Sequence, residues 1–171
     1  MNRTPPLGAT ATGSTTDWMD RDNATQRWLL RDRTHVQPEP RLRLERLRKH
    51  LLRVTAEGLG RTRTLRVISY TLISPGGDPE PDYVRLRTYA GGVWKIRREI
   101  HDEAADPHRA PAPQHRNGWL TARLLVRQGA ADGVIAISRD AISPDDALYE
   151  HELLWIGDHF SFVDLIIPEY R

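Results

Sequence analysis

The hydrophobic positions of the first third of the chain repeat with the period of an α-helix. In residues 41–60, apolar side chains recur every three or four residues: Leu44, Leu47, Leu51 and Val54. This spacing predicts an amphipathic helix that ends at Gly58 or Gly60. A shorter helix is predicted over 22–30, with Asp22 or Asn23 as its N-cap.

From Arg61 onward the period shortens to that of β-strands. Seven segments either alternate between apolar and polar residues or are rich in β-branched and aromatic ones: 61–74, 82–89, 93–100, 119–127, 133–138, 147–157 and 160–167. Because no crossover helix is predicted between any two of them, antiparallel pairing is favoured. The predicted fold class is therefore α+β: two N-terminal helices followed by a mostly antiparallel sheet of about seven strands, either open or curled into a half-barrel.

Two stretches show neither period. Residues 1–16 consist largely of Pro, Gly, Ser and Thr, with almost nothing to bury, and are predicted to form a disordered N-terminal arm. The remainder, 17–171, has the size of a single α+β domain. Within it, the segment DEAADPHRAPAPQHRNG at 102–118 is predicted to be a Pro-rich loop.

The most specific local feature is the segment DYVRLRTYAGGVWKIRREI, read as a hairpin with its turn at 90–92. Alternation along the two strands would place four cations side by side on one face: Arg85, Arg87, Lys95 and Arg97. Because like charges repel across a hairpin, a bound phosphate, nucleic-acid backbone or carboxylate would stabilise them. These four residues are the predicted anion-binding site. The alternative is a solvent-exposed face that nearby glutamates neutralise.

The helix predicted over 41–60 carries a second basic surface. Its cations gather on one side: Arg43, Arg46, Lys49 and Arg53. Such a face suits nucleic acid, but Glu45 interrupts it, and the formal net charge of the chain is only +2. After residue 131 the charge becomes mostly acidic. The two halves either neutralise each other within one fold or pair copies of the chain into a homo-oligomer.

The segment 160–167 is largely apolar on both faces, which predicts a central strand that is covered on both sides. Asp164 lies within this segment and would be buried. A buried carboxylate needs a cationic partner, and the arginines of the predicted hairpin are the candidates.

Composition and missing motifs limit the chemistry. No apolar run approaches the roughly 20 residues that cross a bilayer, so no membrane contact is predicted. The chain has no cysteine, which excludes disulfides and thiolate sites and favours the cytoplasm. Glycine-rich phosphate loops, Gly-x-Ser-x-Gly and His-Glu-x-x-His are absent. No histidine–carboxylate spacing matches a known metal site, so no catalytic residue, cofactor or metal is predicted.

The predicted function is a non-catalytic binding or assembly module. It would engage an anionic partner (an acidic protein surface, a phosphate-bearing ligand or nucleic acid) through the basic helix and the basic hairpin. The alternative is a small enzyme or ligand-binding half-barrel that acts on a phosphate- or carboxylate-bearing small molecule. The missing catalytic motifs favour the first, although the sequence leaves the existence of catalysis open.

Overall fold

Helices and strands alternate along the computed structural model, which describes residues 39–169. The helices are α1 (Pro40–Gly58), α2 (Glu80–Ala90), α3 (Asn117–Arg127), α4 (Arg139–Ile142) and α5 (Asp146–Asp158). The strands are β1 (Arg66–Ile73), β2 (Lys95–Glu103), β3 (Gly133–Ala136) and β4 (Phe162–Leu165). Two short 3-10 turns, Pro107–Arg109 and Pro113–His115, lie between β2 and α3.

The four strands form one sheet in the order β2-β1-β3-β4, and every neighbouring pair is parallel. In the register, Val67 of β1 lies opposite Ile96 of β2 on one side and Gly133 of β3 on the other. Parallel neighbours need a crossover connection, and here the helices supply it. The predicted α+β class with a mostly antiparallel sheet of about seven strands is therefore wrong: the described residues form an α/β fold.

Three of the predicted strands are helices, and this accounts for the error. The segment 82–89 lies in α2, 119–127 is most of α3, and 147–157 is most of α5. In each, the buried side chains recur at helical spacing, as Tyr83, Leu86 and Ala90 do in α2. A segment of eight to eleven residues can satisfy both periods, and tertiary packing decides between them.

The other predictions that fall on described residues agree better with the structure. The helix predicted over 41–60 is confirmed as α1, and the segments 61–74, 93–100, 133–138 and 160–167 are confirmed as strands, each within a few residues. In the predicted Pro-rich loop at 102–118, β2 runs on to Glu103 and α3 begins at Asn117. The arm at 1–16 and the helix at 22–30 lie outside the described residues. None of the described helices is long and apolar enough to cross a bilayer.

The sheet separates two hydrophobic clusters. On one face, Tyr70 and Val134 pack with Trp119 of α3 and with α5. On the other face, Val67 and Phe162 pack with α2. Helix α1 lies beside β4 and contributes to both clusters: Leu44 to the first, Leu52 to the second. Strand β4 is consequently buried on both faces, as its apolar pattern predicts, although it ends the strand order.

A buried ionic network joins α1 to β4 and to the residues that follow it. The side chain of Arg48 is only 3% exposed; it contacts Asp164, and its Nε donates to Glu169 at 2.8 Å. Tyr89 donates to Asp164 at 2.7 Å, and Tyr149 donates to Glu169 at 2.8 Å. The predicted burial of Asp164 is confirmed, but its cationic partner comes from α1 and not from a hairpin.

Candidate functional site

The strand order places a crevice at the carboxyl ends of β1 and β3. From β1 the chain continues to α2 on one face of the sheet, whereas from β3 it continues to α4 and α5 on the other. Connections that leave two adjacent parallel strands in opposite directions open a gap between them. In open α/β sheets this switch point is the usual position of a ligand site.

Ser74 follows β1 directly and lies at this edge. Its carbonyl accepts a hydrogen bond from the Gly77 amide at 2.8 Å, which closes a tight turn. Gly76 adopts a φ of 70° within that turn, a backbone conformation that favours glycine. The Ser74 side chain is exposed. A short, closed turn therefore holds an accessible hydroxyl at the end of an interior strand of the sheet.

Arg116, immediately before α3, is a buried cation of an unusual kind. It is 4% exposed, and its Nη1 donates to the Ala141 carbonyl at 2.8 Å while its Nη2 donates to the Ile142 carbonyl. Its Nε is buried and has no hydrogen-bond partner among the described residues. No described carboxylate forms an ion pair with it; among the described residues, two carbonyl oxygens and the Tyr70 ring lie beside its charge. A buried charge normally has an opposite charge beside it, and an anionic ligand would supply one here.

Asp102, near the end of β2, fixes the surroundings of Arg116. Its carboxylate accepts from the amides of Gly118 at 2.8 Å and Trp119 at 2.9 Å, and from the Tyr70 hydroxyl at 2.8 Å. A Cβ at Gly118 would lie 2.6 Å from the His101 carbonyl oxygen, so only glycine permits this approach. The Arg116 guanidinium lies 5.8 Å from the centre of the Tyr70 ring.

The Tyr70 hydroxyl stays a proton donor throughout the physiological range. Burial raises the pKa of this phenol well above its ordinary value, and the Asp102 carboxylate raises it further. The positive charge of Arg116 lowers it by less than these two effects raise it. The hydrogen bond from Tyr70 to Asp102 is therefore a fixed structural support for the N-terminal end of α3.

Two neighbouring cavities open at the same edge. One, of about 230 Å³, is lined by Arg116 together with His108 and Asp145. The other, of about 300 Å³, is lined by Arg41 and Ser138. His108 borders both cavities. This part of the sheet edge can therefore accommodate a polar ligand beside Arg116.

Arg139, which follows β3, differs from Arg116 because its charge is already neutralised. Its Nη1 lies 2.6 Å from an Asp146 oxygen, and its Nη2 donates to the Pro144 carbonyl at 2.5 Å. Its guanidinium also lies 5.3 Å from the centre of the Tyr149 ring. Of these two buried arginines, Arg116 is the one with charge available for a ligand.

The predicted anion-binding residues do not form a row. Arg85 and Arg87 lie on α2, whereas Lys95 and Arg97 lie on β2. Arg87 bridges Glu80 at 2.6 Å and Glu99 at 2.7 Å. Arg85 lies 3.6 Å from Asp82. Their use as an anion site stays a prediction, but the hairpin on which it rests is absent.

The predicted basic face of α1 is partly neutralised. Arg43 pairs with Glu150, and Lys49 pairs with Glu45 at 2.5 Å. Arg53 lies 3.2 Å from the Nδ1 atom of His50, and Arg46 is exposed. The function of this face stays a prediction. Sequence reasoning overlooked Arg48 on the same helix, although it is the arginine that the fold buries.

Neither Ser74 nor Arg116 was among the residues predicted to bind or react. The signal for Ser74 was present: a polar residue that directly follows a buried strand and precedes Pro75 and Gly76. Its meaning depends on a parallel sheet, because only then do the carboxyl ends of the strands share one edge. Arg116 lay in the predicted loop, where an arginine carries no signal of burial.

The fold has counterparts among solved structures. The C-terminal catalytic domain of ISC1926 TnpA, an IS607-like serine recombinase, aligns with a TM-score of 0.52 at 18% identity, over 61% of this chain and 72% of that one. At this identity the likeness establishes the fold alone. No protein-family model matches the chain, and no curated protein matches it.

Two further structures align with TM-scores below 0.5, at which a likeness does not establish a common fold. One is the N-terminal catalytic domain of TP901-1 integrase, with a TM-score of 0.47 at 19% identity over 59% of this chain and 77% of that one. The other is the first open reading frame in transposon ISC1904 from Sulfolobus solfataricus P2, with 0.46 at 16% identity over 59% and 66%.

These findings correct the predicted function. A non-catalytic module that acts through a basic hairpin is wrong, because the hairpin is an α-helix followed by a parallel strand. The half-barrel alternative fails for the same reason, since the sheet is open and parallel. The fold is shared with the C-terminal catalytic domain of ISC1926 TnpA.

Proposed function

We propose that this chain is a DNA strand-exchange domain that uses Ser74 as its nucleophile. The observation that carries the proposal is the position of Ser74: an exposed hydroxyl at the carboxyl end of β1, beside the switch point of the sheet. A likeness in fold to the catalytic domain of a serine recombinase supports the choice of reaction and of DNA as substrate. The proposal retains the cytoplasm as the location of the domain.

The reaction is a transesterification at phosphorus. The Ser74 oxygen attacks a DNA phosphodiester, a new O–P bond forms, and the bond from phosphorus to one deoxyribose oxygen breaks. The serine proton ends on that leaving oxygen, directly or through water. Because one phosphodiester replaces another, a DNA hydroxyl can later reverse the attack and rejoin strands without an external source of energy.

Arg116 is the residue that we assign to the phosphate. Ser74 and Arg116 lie at the same edge of the sheet. Residues 70, 72 and 74 share one face by the alternation along β1, and Arg116 lies over the Tyr70 ring on that face. A guanidinium matches two phosphate oxygens with parallel hydrogen bonds. It would stabilise the charge that develops as the serine oxygen attacks.

The test is a covalent protein–DNA adduct. The full-length protein is incubated with a random-sequence duplex library that carries a radiolabel, and adducts that resist detergent and heat are resolved on a denaturing gel. We expect an adduct with the wild type and none with Ser74→Ala. The control is Ser138→Ala, which removes the hydroxyl that follows β3 and should leave the adduct intact.

A second variant tests the role of Arg116. Replacing it with lysine keeps the charge but loses the bidentate geometry, and we expect adduct formation to slow by about 10²-fold or more, as for the loss of one preorganised donor. Circular dichroism checks that the variant is folded. An adduct that survives Ser74→Ala, that disappears with Ser138→Ala, or that the wild type never forms would contradict the proposal.

A further inference from the structure

Another cavity, bordered by described residues, lies at the opposite, amino edge of the sheet. Its volume is about 560 Å³, within the range of roughly 300–1,000 Å³ that small-molecule sites occupy. It lies where α1 ends, where the chain enters β1, and where the turn after α2 enters β2. The carboxyl-edge site around Ser74 uses none of its residues.

The floor of this cavity is apolar and aromatic. Ala56, Leu65, Val93 and Trp94 line it. Trp94 is held by its neighbours: its ring centre lies 5.8 Å from that of Tyr89, edge to face, and 5.6 Å from that of Phe162. Val93 beside it is 64% exposed. A planar aromatic group entering the cavity would therefore meet a fixed apolar surface with little reorganisation.

Three arginines border this floor: Arg53, Arg61 and Arg63. Glu57 is the one carboxylate in the lining. Arg63 is anchored by Asp132, with nitrogen–oxygen distances of 2.5 and 2.6 Å. Arg66 shares the same carboxylate at 3.1 Å, so one negative charge is divided between two guanidinium groups. The lining therefore keeps an excess of positive charge.

The connection between α1 and β1, which carries Arg61 and Arg63, has a defined shape. The amides of Thr62 and Arg63 donate to the Leu59 carbonyl at 3.1 and 3.3 Å. At Gly60, a Cβ would lie 2.5 Å from the Ala56 carbonyl oxygen, so glycine lets the chain fold back against α1. Arg61 is exposed and forms no ion pair with another described residue. Its guanidinium is thus free to bind an anion next to the aromatic floor.

We infer that this amino-edge cavity binds a nucleotide, with the base against Trp94 and the phosphate on Arg61 and its neighbours. An aromatic surface beside guanidinium groups matches a ligand that joins a planar ring to a phosphate, as in sites for single-stranded nucleic acid. A small carboxylic acid without a ring would contact the arginines but not the apolar floor. The ligand is either a free mononucleotide or one nucleotide of a single strand.

The experiment uses the full chain with Ser74→Ala, so that no covalent chemistry takes part and the outcome is separate from that of the proposed function. Binding of a fluorescein-labelled dT12 oligonucleotide is followed by anisotropy at several salt concentrations, and dTMP serves as competitor. Displacement of the oligonucleotide by dTMP would assign the site to a free mononucleotide. Binding of dT12 without competition by dTMP would assign it to a strand.

Two substitutions locate the binding. We expect Arg61→Ala to weaken dT12 or dTMP about fivefold to tenfold and to reduce the salt slope by about one, the effect of losing one phosphate contact. Trp94→Leu keeps an apolar side chain but removes the stacking surface, and we expect a loss of about tenfold or more. The matched control is Arg46→Ala. Arg46 is exposed on α1, two turns before Arg53, and does not line the cavity.

Equal weakening by Arg61→Ala and Arg46→Ala would mean diffuse attraction to a basic surface and would overturn the inference. So would unchanged affinity in Arg61→Ala, or the absence of any binding of dT12 and dTMP. If Trp94→Leu lowers the melting temperature, Arg61→Ala alone decides the matter, because that side chain is exposed and packs into neither cluster.

Discussion

Replacement of Arg48 by methionine tests whether the buried network beneath α1 holds the helix against the sheet. The side chains of Arg48, Asp164 and Glu169 are 3%, 9% and 0% exposed. Burial by itself would lower the pKa of Arg48. Its hydrogen bond to Glu169 and the charges of Glu169 and Asp164 outweigh this effect and raise the pKa above its ordinary value. The guanidinium is therefore permanently charged, and Arg48→Met would leave two carboxylates buried without a cation.

The size of the effect follows from the geometry. At about 3–4 Å and an effective dielectric constant near 20, each charge pair contributes roughly 4 kcal/mol. Desolvation offsets much of that gain in the intact network, but removal of one partner from a buried pair costs about 3–5 kcal/mol. The stability of a whole domain is about 5–15 kcal/mol. We therefore expect Arg48→Met to lower the melting temperature by roughly 12–20 °C.

Urea denaturation of the full-length protein, followed by tryptophan fluorescence and circular dichroism, measures this loss as a shift in midpoint. Arg46→Met is the control on the exposed side of the same helix, and we expect a change within about 0.5 kcal/mol. The triple variant Arg48→Met, Asp164→Asn, Glu169→Gln removes all three charges and should recover most of the stability. A loss below about 1 kcal/mol for Arg48→Met with an unchanged denaturant slope would refute the reasoning.

Three further predictions concern Asp132, Phe160 and Gly118. Burial would raise the pKa of Asp132, but hydrogen bonds from Arg63 and Arg66 hold it well below its usual range. Asp132→Asn should therefore lower the free energy of unfolding by about 2 kcal/mol at pH 7. The difference in urea midpoint between wild type and variant should narrow as the pH falls below about 4, where Asp132 becomes protonated in the unfolded chain. Phe160 is 82% exposed, and its φ of 53° is a left-handed conformation that favours glycine. Phe160→Gly should therefore raise the melting temperature, by a gain of about 0.5–1 kcal/mol in the free energy of unfolding, whereas Phe160→Ala should not. Gly118→Ala should lower the free energy of unfolding, measured by urea denaturation, by about 1–3 kcal/mol because the new Cβ would clash with the His101 carbonyl oxygen. The control is Gly58→Ala, which has open space around it and should not lower the stability.

The segment in α2, one of the three helices predicted as strands, shows how the two periods compete. Read with a period of two, Arg85 and Arg87 share a face and invite the interpretation of a basic strand. Read with a helical period, Tyr83, Leu86 and Ala90 share a face, and that is the face that the fold buries. Glu80, Pro81 and Asp82 at its start are typical of the first turn of a helix. A search for helix starts before strands would have favoured α2, and a helix between two strands indicates a parallel pair.

The candidate site could not be predicted from the sequence for a different reason. Ser74 and Arg116 are 42 positions apart in the chain, and both lie at the edge of the sheet where the parallel strands end. Burial of Arg116 also depends on the C-terminal end of α4, whose carbonyls it contacts. No local pattern around residue 116 encodes that contact.

The arginines illustrate what the sequence can and cannot reveal about charge. Their number suggested basic surfaces, but the fold gives them different partners: Arg87 bridges two glutamates at the surface, and Arg48 is buried between two carboxylates. Arg116 is buried against carbonyl oxygens and the Tyr70 ring with no described carboxylate as partner, and Arg61 is exposed beside an aromatic floor. An arginine whose charge is already neutralised stabilises the fold, whereas one without a carboxylate partner has charge left for a ligand. Arg116 and Arg61 lie at opposite edges of the sheet. Under the two proposals, Arg116 holds a phosphate near Ser74 and Arg61 holds a nucleotide at the other edge, and the Ser74→Ala and Arg61→Ala variants test them separately.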